Sequence, residues 1–158
     1  MKFKNHLIVL STIIFGFWLD HYLNQFTIKY LFELNFGFLI FSYWVFAMPE
    51  KIHSLAAVLY GLAVDLFFSN AIGFNMLFFV ATSYIIHLYV FRFRIFSYFQ
   101  LSVFFSGSST FYTACKYLLL SPNNYSYLVL ILSFVVNAIL WVGLYQMMRA
   151  FRRRIFYN

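Results

Sequence analysis

The chain has 158 residues, of which 64% are hydrophobic and only 9% charged, and its net charge is +7. A soluble domain carries about 25% charged residues, so too little polar surface remains here to cover a water-soluble globule. The single cysteine, Cys115, excludes an intramolecular disulfide, and no Cys/His spacing of the metal-binding kind is present.

The first apolar run opens on "MKFKNHLIVLSTIIFGFW". It has the basic start of a signal peptide, but "DHYLNQ" follows where a small-x-small cleavage site would stand. A retained helix over about 6–24 is expected. Crossing a bilayer takes about 20 apolar residues, with a range of about 17–25. Five further runs come near that length, at about 31–48, 52–69, 71–91, 97–120 and 125–148. The breaks between runs carry turn chemistry: "NQFTIK", "PEK", "SNAIG", "RFRIFS" and "SPNNYS". Pro49 cannot continue a helix. Such short breaks make consecutive helices antiparallel neighbours. The expected fold is a single all-α transmembrane domain of six helices over 1–158.

Lys and Arg placement sets the expected orientation. Lys2 and Lys4 precede the first run, and Lys51, Arg92 and Arg94 lie in the second and fourth breaks. Arg149, Arg152, Arg153 and Arg154 follow the last. Only Lys29 and Lys116 fall on the other side. Six spans with both termini in the cytoplasm place nine of the eleven basic residues inside and so satisfy the positive-inside rule. The "FRRR" tail, 151–154, reads as an orientation anchor, with contact to anionic lipid as the sharper alternative.

Polar and small residues mark faces turned toward other helices, because lipid cannot satisfy polar groups. On the third helix Ser54, Ala57, Gly61 and Asp65 form one stripe at steps of three and four. On the fifth, Ser102, Ser106, Ser109, Thr113 and Lys116 do the same. On the sixth, Ser133 and Asn137 share a face, followed by Trp141. Asp20, Glu33, Asp65 and Lys116 fall at similar depths, which predicts one charged layer about 6 Å below the outer surface. Two readings of that layer stand open. Asp65 and Lys116 pair or share a network, or Lys116 snorkels outward while Asp65 caps nearby backbone. Gly73 is expected to allow the turn before the fourth helix, with Asn70 and Asn75 satisfying free backbone groups.

Catalytic constellations are not found. The sequence has no phosphate-cradling glycine loop, nucleophile elbow or two-His metal helix. His6, His21, His53 and His87 are scattered, and Cys115 beside Lys116 lacks a histidine partner. No aromatic stripe alternates with basic residues as a nucleic-acid surface requires. No enzymatic activity, cofactor, metal or nucleic acid is expected, and the membrane itself is the expected lipid partner.

Three blocks resemble one family. "LIFSYWVFAMPEK" (39–51) is similar to the second helix of MreD proteins, small membrane proteins of the bacterial rod-shape system. "GLAVDLFFSNAIGFN" (61–75) resembles their Gly-x-x-x-Asp-Leu helix end and Ile-Gly turn, and "SFVVNAILWVGLYQMMRAFRRR" (133–154) resembles their last helix and basic tail. With the length and six runs, the resemblance covers essentially the whole chain. It departs from the family at Leu34 and Val142, where prolines are common in MreD. The resemblance implies an inner-membrane component of the elongation machinery for peptidoglycan, without enzymatic activity of its own. The implied partners are MreC and, in the same assembly, RodA, an elongation transpeptidase and MreB. MreD also looks similar in fold to six-helix substrate-binding components of vitamin transporters, which keeps a transport reading open.

Overall fold

The computed structural model describes residues 3–68, 71–121 and 126–156. Asn70, Lys2 and most of the "SPNNYS" break lie outside them. The described residues form six α-helices and no strand. They are α1 (Phe3–Thr27), α2 (Phe36–Ala47), α3 (Ser54–Phe68), α4 (Phe74–Phe93), α5 (Tyr98–Leu120) and α6 (Tyr127–Phe156), with a single 3₁₀ turn at Ile28–Tyr30. Successive helices pair as three hairpins, α1–α2, α3–α4 and α5–α6.

The surface is inverted relative to a soluble protein. Leu59, Leu66 and Phe67 on α3, Leu77, Leu88 and Phe91 on α4, and Ile131 and Ile139 on α6 all stand exposed. Meanwhile Asp20, Glu33, Asn35, Asp65, Asn75, Ser106, Thr113, Ser133 and Asn137 are buried. Water-soluble monomers do not expose so large an apolar area. The arrangement is that of an all-α membrane protein. Ala57, Gly61 and Asp65 of the α3 stripe turn inward, as do Ser102, Ser106, Ser109 and Thr113 on α5 and Ser133, Asn137 and Trp141 on α6. Ser54 is exposed at the start of its stripe.

Three helices are long and apolar enough to cross a bilayer: Lys4–Thr27, Phe74–Phe93 and Tyr127–Ile155. The other three helices fall short of that measure. α5 has 23 residues, but its inward serines and threonine leave it less apolar than those three. α3 has 15 residues, about 22 Å of helix. α2 is the largest departure: the expected 31–48 span shrinks to 12 residues, about 18 Å. Gly37 through Val45 are all buried, so α2 is a core helix rather than a lipid-facing one. It touches α1, α4, α5 and α6. Phe41 stacks on Phe79 of α4 at 3.9 Å between ring centroids, and Phe38 stacks on Tyr112 of α5 at 5.0 Å.

The far end of α2 is held from two directions. Arg152 of α6 donates through Nη1 to the Ala47 carbonyl at 2.8 Å, a cation at a helix C-terminus. On α4, His87 places Nε2 2.8 Å from the Pro49 carbonyl and Nδ1 2.6 Å from the Ser83 carbonyl, clasping the turn after α2.

Candidate functional site: a buried polar layer

Residues 32–35 run between the 3₁₀ turn and α2 without helical structure. Leu31 before them sits at φ 62°, in the left-handed region. Irregular backbone at membrane depth survives only where protein satisfies its polar groups, and here the partners of Glu33, Leu34 and Asn35 are identifiable. Asn24 of α1 accepts from the Leu34 amide at 2.8 Å and donates to the Leu34 carbonyl at 2.9 Å. Ser133 Oγ of α6 accepts from the Glu33 amide at 2.8 Å. Asn137 Oδ1 accepts from the Asn35 amide at 3.1 Å, while its Nδ2 donates to the Glu33 carbonyl at 2.9 Å. Asn35 in turn donates to Thr113 Oγ1 of α5 at 2.9 Å.

Helix α2 then begins under Asp20. Its Oδ1 accepts from the Phe36 amide at 2.6 Å and its Oδ2 from the Gly37 amide at 2.9 Å. The first amides of a helix have no partner within it and form a partial positive end, so a carboxylate there satisfies both needs. The non-helical segment lies well inside the bundle: α1 continues seven residues past Asp20 and α5 seven past Thr113, about 10 Å in each case.

Asp65 repeats the device on α4. Its Oδ2 accepts from the Gly73 amide at 2.9 Å and the Met76 amide at 3.1 Å. Its Oδ1 accepts from the Asn75 amide at 3.0 Å and from Asn75 Nδ2 at 2.9 Å. Gly73 is the N-cap residue at φ 101°, a left-handed conformation suited to glycine. A glycine stands one turn before each aspartate. A Cβ on Gly61 would lie 2.4 Å from the Met76 Cα, and one on Gly16 would lie 2.8 Å from the Gly37 Cα. Both hairpins therefore use Gly-x-x-x-Asp: the glycine lets the backbones touch, and the aspartate holds the first amides of the returning helix. The motif at 61–65 was legible from the sequence. Its twin at 16–20 was missed, although the same spacing stands there.

The two caps meet on α5. Asn75 accepts from Tyr112 Oη at 2.6 Å, one residue before Thr113. Tyr117 Oη donates to Glu33 Oε1 at 2.5 Å, and Lys116 Nζ stands 3.5 Å from Glu33 Oε2. The expected charged layer is thus present, but its pairing is corrected. Lys116 faces Glu33, in the sole ion pair among the described residues, and Asp65 bonds α4. Asp65 is buried with backbone donors on both oxygens, which leaves it no cation within reach. Glu33, inside the expected 31–48 run, belongs instead to the non-helical segment before α2. Beside the layer lies a cavity of about 490 Å³, bordered by Asp20, Asn24, Asn35, Asn75, Tyr112 and Lys116, among others.

Of the other expected residues, Asn137 is the hub just described. Arg92 and Arg94 lie over the rings of Tyr89 and Phe91, at 5.6 and 6.0 Å. Arg149 meets Tyr98 Oη at 3.4 Å, and Arg153 and Arg154 are exposed. Among the described residues no group of three or more His, Cys, Asp or Glu side chains is placed to hold a metal ion.

The chemistry available to the layer is cohesive. Asp20 and Asp65 have both oxygens occupied by the chain's own amides, and the Asn137 amide is occupied on both atoms. Lys116 is the group with a free edge, its side chain 42% exposed. No model of a known protein family, no curated protein and no solved structure matches the chain.

Proposed function

We propose that this chain is a non-enzymatic component of the bacterial rod-shape machinery, of the MreD type, supporting lateral peptidoglycan synthesis beside MreC. The observation that favours this reading most is Asp65. It lies in the block that resembles MreD, and its carboxylate binds the chain's own helix rather than facing a reactant. A bundle whose buried charges are committed to its own architecture suits a part that others assemble on. In this reading the chain is a multi-pass protein of the inner membrane. Its six helices all lie within the bilayer region, the short α2 is enclosed by the rest, and both termini are cytoplasmic. RodA, the transpeptidase and MreB belong to the same assembly.

Depletion in a rod-shaped host is expected to round the cells, and tagged chain is expected to co-purify MreC. Normal rods in a clean deletion refute the proposal. Reporter fusions at each terminus test the topology.

The cavity beside Lys116 favours a second reading, a substrate-binding component of a vitamin-type transporter. At about 490 Å³ it lies within the range of small-molecule sites. Saturable binding of a vitamin by the purified chain, with no effect of depletion on cell shape, is the result that selects this reading.

A further inference from the structure

The opposite end of the bundle carries a second feature. Between the start of α5 and the second half of α6 lies a groove of about 390 Å³, lined by Tyr98, Trp141, Val142, Tyr145, Gln146 and Arg149. Its composition changes along α6. The buried Trp141 and the exposed Val142 make its apolar end, and Gln146, Arg149 and the Tyr98 hydroxyl make its polar mouth. Residues 141 and 149 are separated by about 12 Å of helix.

Arg149 lines the mouth at the start of a cationic helix end. Arg149, Arg152, Arg153 and Arg154 follow one another on the final turns of α6, and no carboxylate of the described residues lies within 4.0 Å of any of them. Arg149 makes a single hydrogen bond among the described residues, the long contact to Tyr98 Oη at 3.4 Å, so most of its guanidinium edge is open. Nearby Arg152 holds the Ala47 carbonyl through Nη1, and its Nε is buried without a partner among the described residues. The N-terminal end of α5 adds its partial positive charge at Tyr98.

We infer that this groove is a site for one anionic glycerophospholipid: its phosphate is held by Arg149 and the Tyr98 hydroxyl, and its upper acyl segment lies against Trp141 and Val142. The inference rests on the membrane character of the fold and is independent of the cell-shape role. A guanidinium recognises phosphate through paired N–H donors. Each basic residue near an anionic surface adds about 1 kcal/mol of attraction. Arg153, one turn beyond Arg149 on the same face of α6, selects for net negative charge, because a zwitterionic headgroup would bring its own ammonium against it. The apolar end of the groove selects a lipid over a free phosphate ester, which would fill only the mouth.

The test uses the purified full chain in detergent, titrated with phosphatidylglycerol, phosphatidylcholine or glycerol 3-phosphate and read by native mass spectrometry. One phosphatidylglycerol per chain is expected, held about tenfold more tightly than phosphatidylcholine. Arg149→Gln should weaken it about tenfold, and the exposed Arg154→Gln less than threefold. Val142→Trp, which fills the apolar part without altering charge, should also displace the lipid, and it decides the matter if Arg149→Gln fails to fold. Equal retention of the two lipids, equal losses in Arg149→Gln and Arg154→Gln, retention by Val142→Trp, or competition by glycerol 3-phosphate would each overturn the inference.

Discussion

The first two hairpins solve one problem in two ways. In α3–α4, Asp65 and the left-handed Gly73 close the turn from within: every bond to the Asp65 carboxylate comes from a residue eight to eleven positions away. In α1–α2, Asp20 holds only the Phe36 and Gly37 amides. The preceding amides of Glu33 and Asn35 depend on Ser133 and Asn137, a hundred residues further along the chain. One turn is local and the other is completed by the third hairpin. The second hairpin can therefore form its α4 cap alone, whereas α2 reaches its final start only once α6 is in place.

Asp65→Leu should have the largest effect of the replacements that probe this contrast. It leaves three backbone amides and the Asn75 side chain without their acceptor, and each buried unsatisfied group costs about 1–3 kcal/mol. A loss of at least about 3 kcal/mol is expected, read as unfolding in detergent or as low abundance in membranes. Asp65→Asn should also destabilise, because it replaces one of two doubly used acceptor oxygens by a donor facing amides. Asn therefore keeps half of the acceptor capacity rather than most of it. If Asp65→Leu melts like the parent chain, the local cap is not what holds α4.

Asn137→Leu attacks the remote closure. It orphans the Asn35 amide and the Glu33 carbonyl and should cost about 2–3 kcal/mol. The sharper readout is location. Amide exchange should rise at 33–37 and stay unchanged at 73–76. Equal exchange at both turns would show that the hairpins are not independent in the way the bonds suggest.

This difference also explains what the sequence revealed and what it hid. The α3 stripe ending on Asp65, the α5 stripe and the Ser133–Asn137 face follow from periodicity, because lipid forces polar side chains inward wherever they occur. The start of α2 does not. Residues 31–35 sit in an apolar run that could extend a helix, and side chains from α1 and α6 divert the amides of Glu33, Leu34 and Asn35. The partner of Lys116 was hidden for the same reason. Depth along a helix can be counted from sequence, but rotation about the bundle cannot, so Asp65 and Glu33 were equally eligible. Gly16-x-x-x-Asp20 was the legible signal left unread, since it repeats the spacing at 61–65.

Gly73→Ala should have a smaller effect than either replacement above. A Cβ there meets nothing within 4 Å among the described residues, so the cost is conformational. Holding alanine at φ 101° should cost about 1–2 kcal/mol. Gly61→Ala makes the control: its Cβ would strike the Met76 backbone and push α3 from α4. If Gly73→Ala proves the more damaging of the two, strain at the turn outweighs backbone contact in joining this hairpin.

Lys116→Gln should change stability least, by less than about 1 kcal/mol, because the ammonium is partly solvated and its carboxylate stands 3.5 Å away. Its value lies in what it separates. Glu33 Oε1 keeps the Tyr117 hydroxyl when Lys116 is removed, whereas Oε2 has no hydrogen-bond partner apart from that ion pair. Tyr117→Phe should therefore destabilise more than Lys116→Gln, although it removes no charge. The reverse order would make the ion pair, and not the hydroxyl, the tie between α5 and the segment before α2. The double replacement then decides whether the two act together: a loss equal to the sum of the single losses means that they hold Glu33 independently, one oxygen each.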